Sequence, residues 1–148
     1  MEALRSGPCV LLRSEQTAAQ VSVIESAAPP GFSGPPLHHH DFDEAFCVIE
    51  GELTFQLRDE LFRATAGQVA FAPRGVPHTF TNLGEGPARY LIVCTPAGFE
   101  RYFARIAAKR QGVDPPEWAL QPIPEVTHVG PPIDPARRSE VQPLDAEE

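Results

Sequence analysis

The chain has 148 residues, of which 42% are hydrophobic and 22% charged, a length suited to one domain and a composition that argues against wholesale disorder. Its net charge of −8 disfavours nucleic acid and anionic membranes as partners, because no basic patch is there to release counterions. The 17 prolines and 11 glycines argue for short strands separated by turns, and against a helical protein.

Residues 9–13 and 20–25 read as short strands, the second alternating through Val21 and Val23. A Pro/Gly loop over 29–36 follows and leads into His38-His39-His40-Asp41-Phe42-Asp43-Glu44. The apolar run 45–49 is expected of a strand covered on both sides. After the turn at Gly51, the alternation of Leu53, Phe55 and Leu57 with Thr54, Gln56 and Arg58 predicts its hairpin partner. Further strands are expected over 61–65, 68–72, 77–82 and 89–94, which makes eight to ten in all. Such a series predicts an all-β domain, a closed barrel or a jelly roll.

Beyond Pro96 the period changes. Phe99, Tyr102, Phe103, Ile106 and Ala107 fall at helical spacing, with Glu100, Arg101, Arg105 and Lys109 on the other side. This predicts one amphipathic helix whose aromatic stripe is a packing face. Eight of the 17 prolines lie after residue 110, so no long regular element is expected there. Trp118, Leu120, Ile123 and Val126 are apolar enough to lie against the barrel, whereas residues from 134 onward look solvated and mobile. The organisation expected is therefore a barrel over 1–96, a helix over 97–112 and a Pro-rich tail over 113–148.

Cys9, Cys47 and Cys94 are odd in number and show no metal or redox spacing, which predicts reduced structural thiols. The first residues contain no signal-like apolar stretch and no run approaches membrane-spanning length, so the expectation is a cytoplasmic protein.

The histidine stretch is the chemically informative part. On a strand, His38 and His40 share a face and His39 opposes them, and a kink over Asp41–Asp43 can return Glu44 to that face. Two imidazoles and a carboxylate suit a first-row transition metal. Downstream, Gly67, Pro73 and Gly75 shape a turn that delivers His78 onto another strand, with Asn82 four residues later. A barrel lets the two segments face each other, so that three imidazoles and one carboxylate could surround one ion and leave coordination positions open, as a catalytic site requires. Asp41 and Asp43 are expected to solvate the turn, His39 to point away, and His128, alone in the tail, to be incidental or at most to cap a pocket.

These two segments resemble the motifs of the cupin superfamily. The first, Gly-x5-His-x-His-x3-or-4-Glu-x6-Gly, is matched from His38 to Gly51 with Phe32 in place of its leading glycine. The second, Gly-x5-Pro-x-Gly-x2-His-x3-Asn, is matched in full from Gly67 to Asn82. The spacing and the Pro-Ala-Gly-Phe-Glu-Arg-Tyr-Phe segment are similar to small bacterial cupins of the quercetin 2,3-dioxygenase-like kind. The resemblance implies a single cupin barrel (double-stranded β-helix) and His38, His40, Glu44 and His78 as ligands of one divalent transition metal: Fe, Mn, Ni, Co, Cu or Zn. It further implies a dioxygenase acting on an aromatic, flavonol or polyketide-like molecule, with Glu44 doubling as base. An isomerase, cyclase or lyase, or a non-catalytic small-molecule binder, is the alternative. Phe46, Val48, Phe55, Phe71 and Phe80 are expected in the core and, in part, on the substrate pocket. Many cupins pair through barrel edges, and a homodimer using the strand over 9–13 is expected.

Overall fold

The computed structural model describes residues 7–144. Eleven strands run in chain order: β1 Cys9–Leu12, β2 Ser22–Ala28, β3 His38–His40, β4 Asp43–Glu50, β5 Glu52–Leu57, β6 Glu60–Thr65, β7 Val69–Ala72, β8 His78–Thr81, β9 Ala88–Thr95, β10 Val126–His128 and β11 Gln142–Pro143. Two α-helices accompany them, the four-residue α1 (Ser14–Thr17) and the longer α2 (Glu100–Gln111). The strands form two sheets, one ordered β1-β2-β9-β4-β7 and the other β10-β3-β8-β5-β6-β11. These face each other as a double-stranded β-helix, the jelly-roll form of the all-β class expected.

Alternation decides what the two sheets enclose. On β4, Phe42 just before the strand and then Glu44, Phe46 and Val48 point inward, and on β9 Ala88, Tyr90, Ile92 and Cys94 do the same. Leu53, Phe55 and Phe80 close the core from the second sheet. Phe46, Phe55 and Phe80 meet with ring centroids 5.1 to 5.9 Å apart, close enough for tilted aromatic packing to add to the burial of their surface. Val48 and Phe80 are core residues, as is Phe46, but Phe71 is not: it is 54% exposed. On the short edge strand β7 the inward positions belong to Ala70 and Ala72, and Phe71 between them must face out.

Helix α2 ends at Gly112, whose φ of +70° is the left-handed geometry that suits a glycine cap. Its buried face differs from the aromatic stripe. Ala104, Ala108 and Glu100 are the buried positions, while Tyr102 is 43% exposed. The small alanines allow close approach, and Phe99 and Phe103 reach over them onto the core. Glu100 is fully buried because its carboxylate accepts hydrogen bonds from Ser14 N at 2.7 Å, Ser14 Oγ at 2.6 Å and Gly98 N at 2.6 Å. Those bonds fasten the unanticipated α1 to the start of α2. A charge satisfied by three donors tolerates burial that periodicity alone would not assign to it.

The tail contributes structure where none was expected. After a 3-10 turn at Glu117–Leu120, β10 pairs antiparallel with β3, and β11 runs parallel to β6. Residues 134–144 are exposed along most of their length, yet Arg137 and Arg138 donate to the carbonyls of Asp59 and Leu83, and Leu144 N donates to Arg63 O. Of the residues from 134 onward, expected to be mobile, 145–148 lie outside the described residues, as does the N-terminal stretch 1–6. Cys9, Cys47 and Cys94 are free thiols, and among the described residues no helix is long and apolar enough to cross a membrane.

Asn82 shows what the second motif does for the fold. It is fully buried, its Nδ2 donates to Ala28 O and Gly86 O at 3.0 Å each, and its Oδ1 accepts from Gly84 N at 2.8 Å. It thus holds the turn before β9 against the end of β2. Asn82→Ala removes three hydrogen bonds, one of them to the buried Ala28 O, and urea denaturation should show a loss of roughly 1–3 kcal/mol.

Candidate metal centre

Three histidines converge although two elements supply them. His38 and His40 sit two apart on β3 and so share its inner face, and His78 opens β8 directly opposite His38. The potential ligand atoms of His38, His40 and His78 lie within 4.8 Å of one another. Glu44 joins them because the chain breaks between β3 and β4, which returns its side chain inward. Its Oε1 lies 2.9 Å from His40 Nε2 and 3.1 Å from His78 Nε2. Two contacts fasten the two halves outside the cluster: Gly75 N donates to His40 O at 2.8 Å, and Asp43 accepts from Arg74 N, Nε and Nη2 at 2.8 to 3.3 Å. Asp43 is therefore paired with Arg74 across the turns, which holds its carboxyl below its usual pKa.

All three rings are oriented by the same device. His38 Nδ1 faces Pro36 O at 2.7 Å, His40 Nδ1 faces Phe42 O at 3.0 Å, and His78 Nδ1 faces Val76 O at 2.9 Å. A carbonyl only accepts, so each Nδ1 carries the proton and donates it. In a neutral ring this leaves Nε2 as a lone pair. Glu44 Oε1 then meets two such lone pairs at hydrogen-bond distance, an arrangement that is repulsive unless positive charge sits among the four groups. Protons on Nε2 can supply it, and so can a divalent cation. Three imidazole nitrogens and a carboxylate oxygen are a borderline donor set that fits a first-row transition metal. The carbonyl partners behind Nδ1 are the outer support that metal-binding histidines ordinarily have.

Electrostatics agree with this. Burial, and the neighbouring imidazoles of His78 and His40, bring the His38 pKa down to about 4 against the opposing pull of Pro36 O and Glu44, so the ring is neutral at physiological pH. Burial pushes Glu44 up, but with protons on Nε2 of His40 and His78 their hydrogen bonds and charge outweigh it and bring the carboxyl down to about 2. Glu44 is accordingly a carboxylate, only 4% exposed, in the middle of the cluster.

Around the cluster, Phe42 stacks on the His40 ring at 3.6 Å and Phe99 approaches Phe42 to 5.2 Å, so helix α2 backs the site. His39 occupies the opposite face of β3 and is not part of the cluster. His128, through β10, stands directly opposite His38 with ring centroids 6.3 Å apart. No sequence signal marked that pairing, because a three-residue strand amid prolines has no period to read.

A cavity of about 140 Å³ reaches the cluster at His78. Phe46, Phe55 and Phe71 line it, the last from the edge of β7, whereas Val48 and Phe80 stay in the core and do not. Gln56, Leu57, Phe62, Ala70, Ala72 and Leu144 complete the lining. Alternation marks Ala70 and Ala72 as inward positions, but nothing in the sequence brings Leu144 there; it follows β11 directly, its N–H donating to Arg63 O.

Residues 25–94 match the family model described as a cupin domain. Over 76 residues the chain is 41% identical to an endoribonuclease YbeY of Myxococcus xanthus, a match covering 51% of this chain and 26% of that protein. Over 77 residues it is 29% identical to the HTH-type transcriptional regulator PuuR of Escherichia coli, covering 52% of this chain and 41% of the regulator. The chain thus spans between a quarter and two fifths of these curated relatives. Among solved structures, a predicted oxalate decarboxylase of Thermotoga maritima is similar at 26% identity with a TM-score of 0.57, covering 60% of this chain and 78% of that one.

Two outcomes test the centre. His78→Ala should keep a folded barrel and lose stoichiometric metal binding, read by calorimetric titration with Co(II) or Zn(II). In metal-free protein, His38 binds its proton less readily folded than unfolded, so between pH 6.5 and about 4 stability falls as pH falls. The contribution of Glu44 is fully present above its ordinary pKa of 4.5 and is lost as pH falls toward about 2. Urea midpoints against pH should show the upper phase in wild type and lose it in His38→Gln.

Proposed function

Residues 25–94 form a cupin domain, and from that premise we propose that the chain is a metal-dependent enzyme of the dioxygenase class. Its substrate, in this reading, is a small and largely apolar molecule of about one ring that carries an ionisable oxygen. The observation that supports this best is the junction of the two features at His78, where a cavity lined mainly by phenylalanine, leucine and alanine meets the three-histidine cluster. His38, His40, His78 and Glu44 would hold one divalent transition metal. When bound, such an ion supplies Lewis acidity to an oxygen donor of the substrate.

The chain's own residues account for the rest. The carbonyls of Pro36, Phe42 and Val76 fix the three rings, so the donors need no reorganisation when ligand enters. Phe46, Phe55 and Phe71 exclude water and orient a flat ring by its faces. Glu44 Oε1, held between His40 and His78, would accept a proton from the substrate oxygen. Size narrows the substrate class. An apolar cavity of about 150 Å³ holds one benzene, and this one is about 140 Å³. A single-ring catechol or enol fits inside it, whereas a three-ring flavonol would extend through its mouth beside Phe71. The lining also contains no Lys or Arg, which does not favour a dicarboxylate.

A second reading, a ligand-binding module without turnover, draws on the 29% identity to part of a transcriptional regulator. Oxygen uptake separates the readings. Protein loaded in turn with Fe, Mn, Ni, Co, Cu and Zn should consume O₂ with a single-ring catechol or enol for at least one metal. Glu44→Gln should reduce that rate by about 10²–10⁴-fold, the range for loss of a positioned base. Turnover without O₂ uptake would point to isomerase or lyase chemistry, and tight binding without turnover to the ligand-binding module.

A further inference from the structure

The cavity lies at a seam between the sheets. Its lining comes from both of them, β4 and β7 on one side and β5, β6 and β8 on the other. β7 is the edge strand of the first sheet, and β6 would be an edge of the second but for the two residues of β11. Between two such edges no ladder of backbone hydrogen bonds closes the wall. Phe71, 54% exposed on β7, stands at the mouth.

One lining residue belongs to no barrel strand. Gln142 and Pro143 of β11 are exposed, and Leu144 is the position at which the tail turns inward and packs against the core. Its backbone is bonded to both sides of the seam. Its N–H donates to Arg63 O of β6 at 2.9 Å, and its carbonyl accepts from Gln68 Nε2, just ahead of β7, at 3.3 Å. Gln68 is itself held, its Oε1 accepting from Thr65 N at 2.9 Å and from Thr65 Oγ1 at 3.2 Å. Leu144 is thus a fixed apolar wall set across a gap that the barrel strands leave open.

We propose that Leu144 is the specificity-determining residue of the site, and that its bulk restricts the cavity to a single ring. This rests on the reading that the cavity receives the substrate. Phe46 and Phe55 also line the cavity, but they are buried in the core cluster, so their size is tied to the packing of the barrel. Leu144 is tied to the seam by its backbone alone, and its side chain is free to set the size of the space beside it. A ring whose oxygen reaches the cluster at His78 fills the cavity of about 140 Å³. A second fused ring extends along the seam, between Phe71 and Leu144. Alanine at 144 lengthens the cavity in that direction, and tryptophan fills it. One methylene gained or lost in an apolar pocket changes discrimination by about 10- to 200-fold.

Calorimetric titration of the Zn(II)-loaded full chain with catechol and with its fused two-ring analogue, 2,3-dihydroxynaphthalene, tests this. Both present the same pair of hydroxyls to the metal, so the ratio of their dissociation constants reports the fit of the ring. Zn(II) does no redox chemistry, so binding is read without turnover. Wild type should bind catechol more tightly. Leu144→Ala should shift the ratio toward the two-ring diol by about 10-fold or more, and Leu144→Trp should weaken both probes by about the same factor. Leu120→Ala, at an exposed leucine elsewhere in the tail, should leave the ratio unchanged. All three variants should keep wild-type circular dichroism and Zn(II) stoichiometry. A ratio that Leu144→Ala leaves unchanged would overturn the proposal. So would an equal shift in Leu120→Ala, or a wild type that binds neither probe. Should Leu144→Trp misfold, Leu144→Ala decides. The expected ratios without O₂ uptake in any metal form would uphold the role of Leu144 and sink only the dioxygenase reading.

Discussion

The site depends on where three protons are. Each of His38, His40 and His78 donates its Nδ1 proton to a carbonyl two residues away, so each ring is held by the backbone flanking its own strand. That local bond turns Nε2 inward, and the jelly roll carries two of those nitrogens to within about 3 Å of the single oxygen Glu44 Oε1. The result is a buried concentration of lone pairs. Burial of such a group is costly without a compensating positive charge, and the donor set is one that suits a first-row transition metal. Fold and chemistry meet here: the sheets bring the four groups together, and a divalent cation would satisfy the arrangement at their centre.

Much of this was legible in the chain because period-two alternation states inward and outward directly. It placed His38 and His40 on one face and His39 on the other and marked Phe55 as interior, whereas the run 45–49, expected to be covered on both sides, is buried only at Phe46 and Val48. The turn glycines and prolines of Gly67 to Asn82 announced His78. Alternation failed where neighbours override it. Phe71 is aromatic but sits between two inward alanines, so it faces out. Glu100 is charged but finds three donors, so it is buried. The tail was least legible. Its strands are two and three residues long, too short to show a period, and both are fixed by partners distant in sequence.

Those tail strands give the molecule its asymmetry. β10 brings His128 beside His38, β11 brings Leu144 to the cavity, and the segment between them closes the outer face of one sheet. The other sheet keeps an outer face of valine, leucine, isoleucine and phenylalanine with its bordering charges already paired.

The central claim is that His38, His40, His78 and Glu44 share one cation. X-ray absorption on protein loaded with one equivalent of Zn(II) measures it directly. The account predicts a first shell of three imidazole nitrogens and oxygen at about 2.0–2.2 Å, with one imidazole lost in His78→Ala. A shell of oxygens alone, or one unchanged by that substitution, would contradict it.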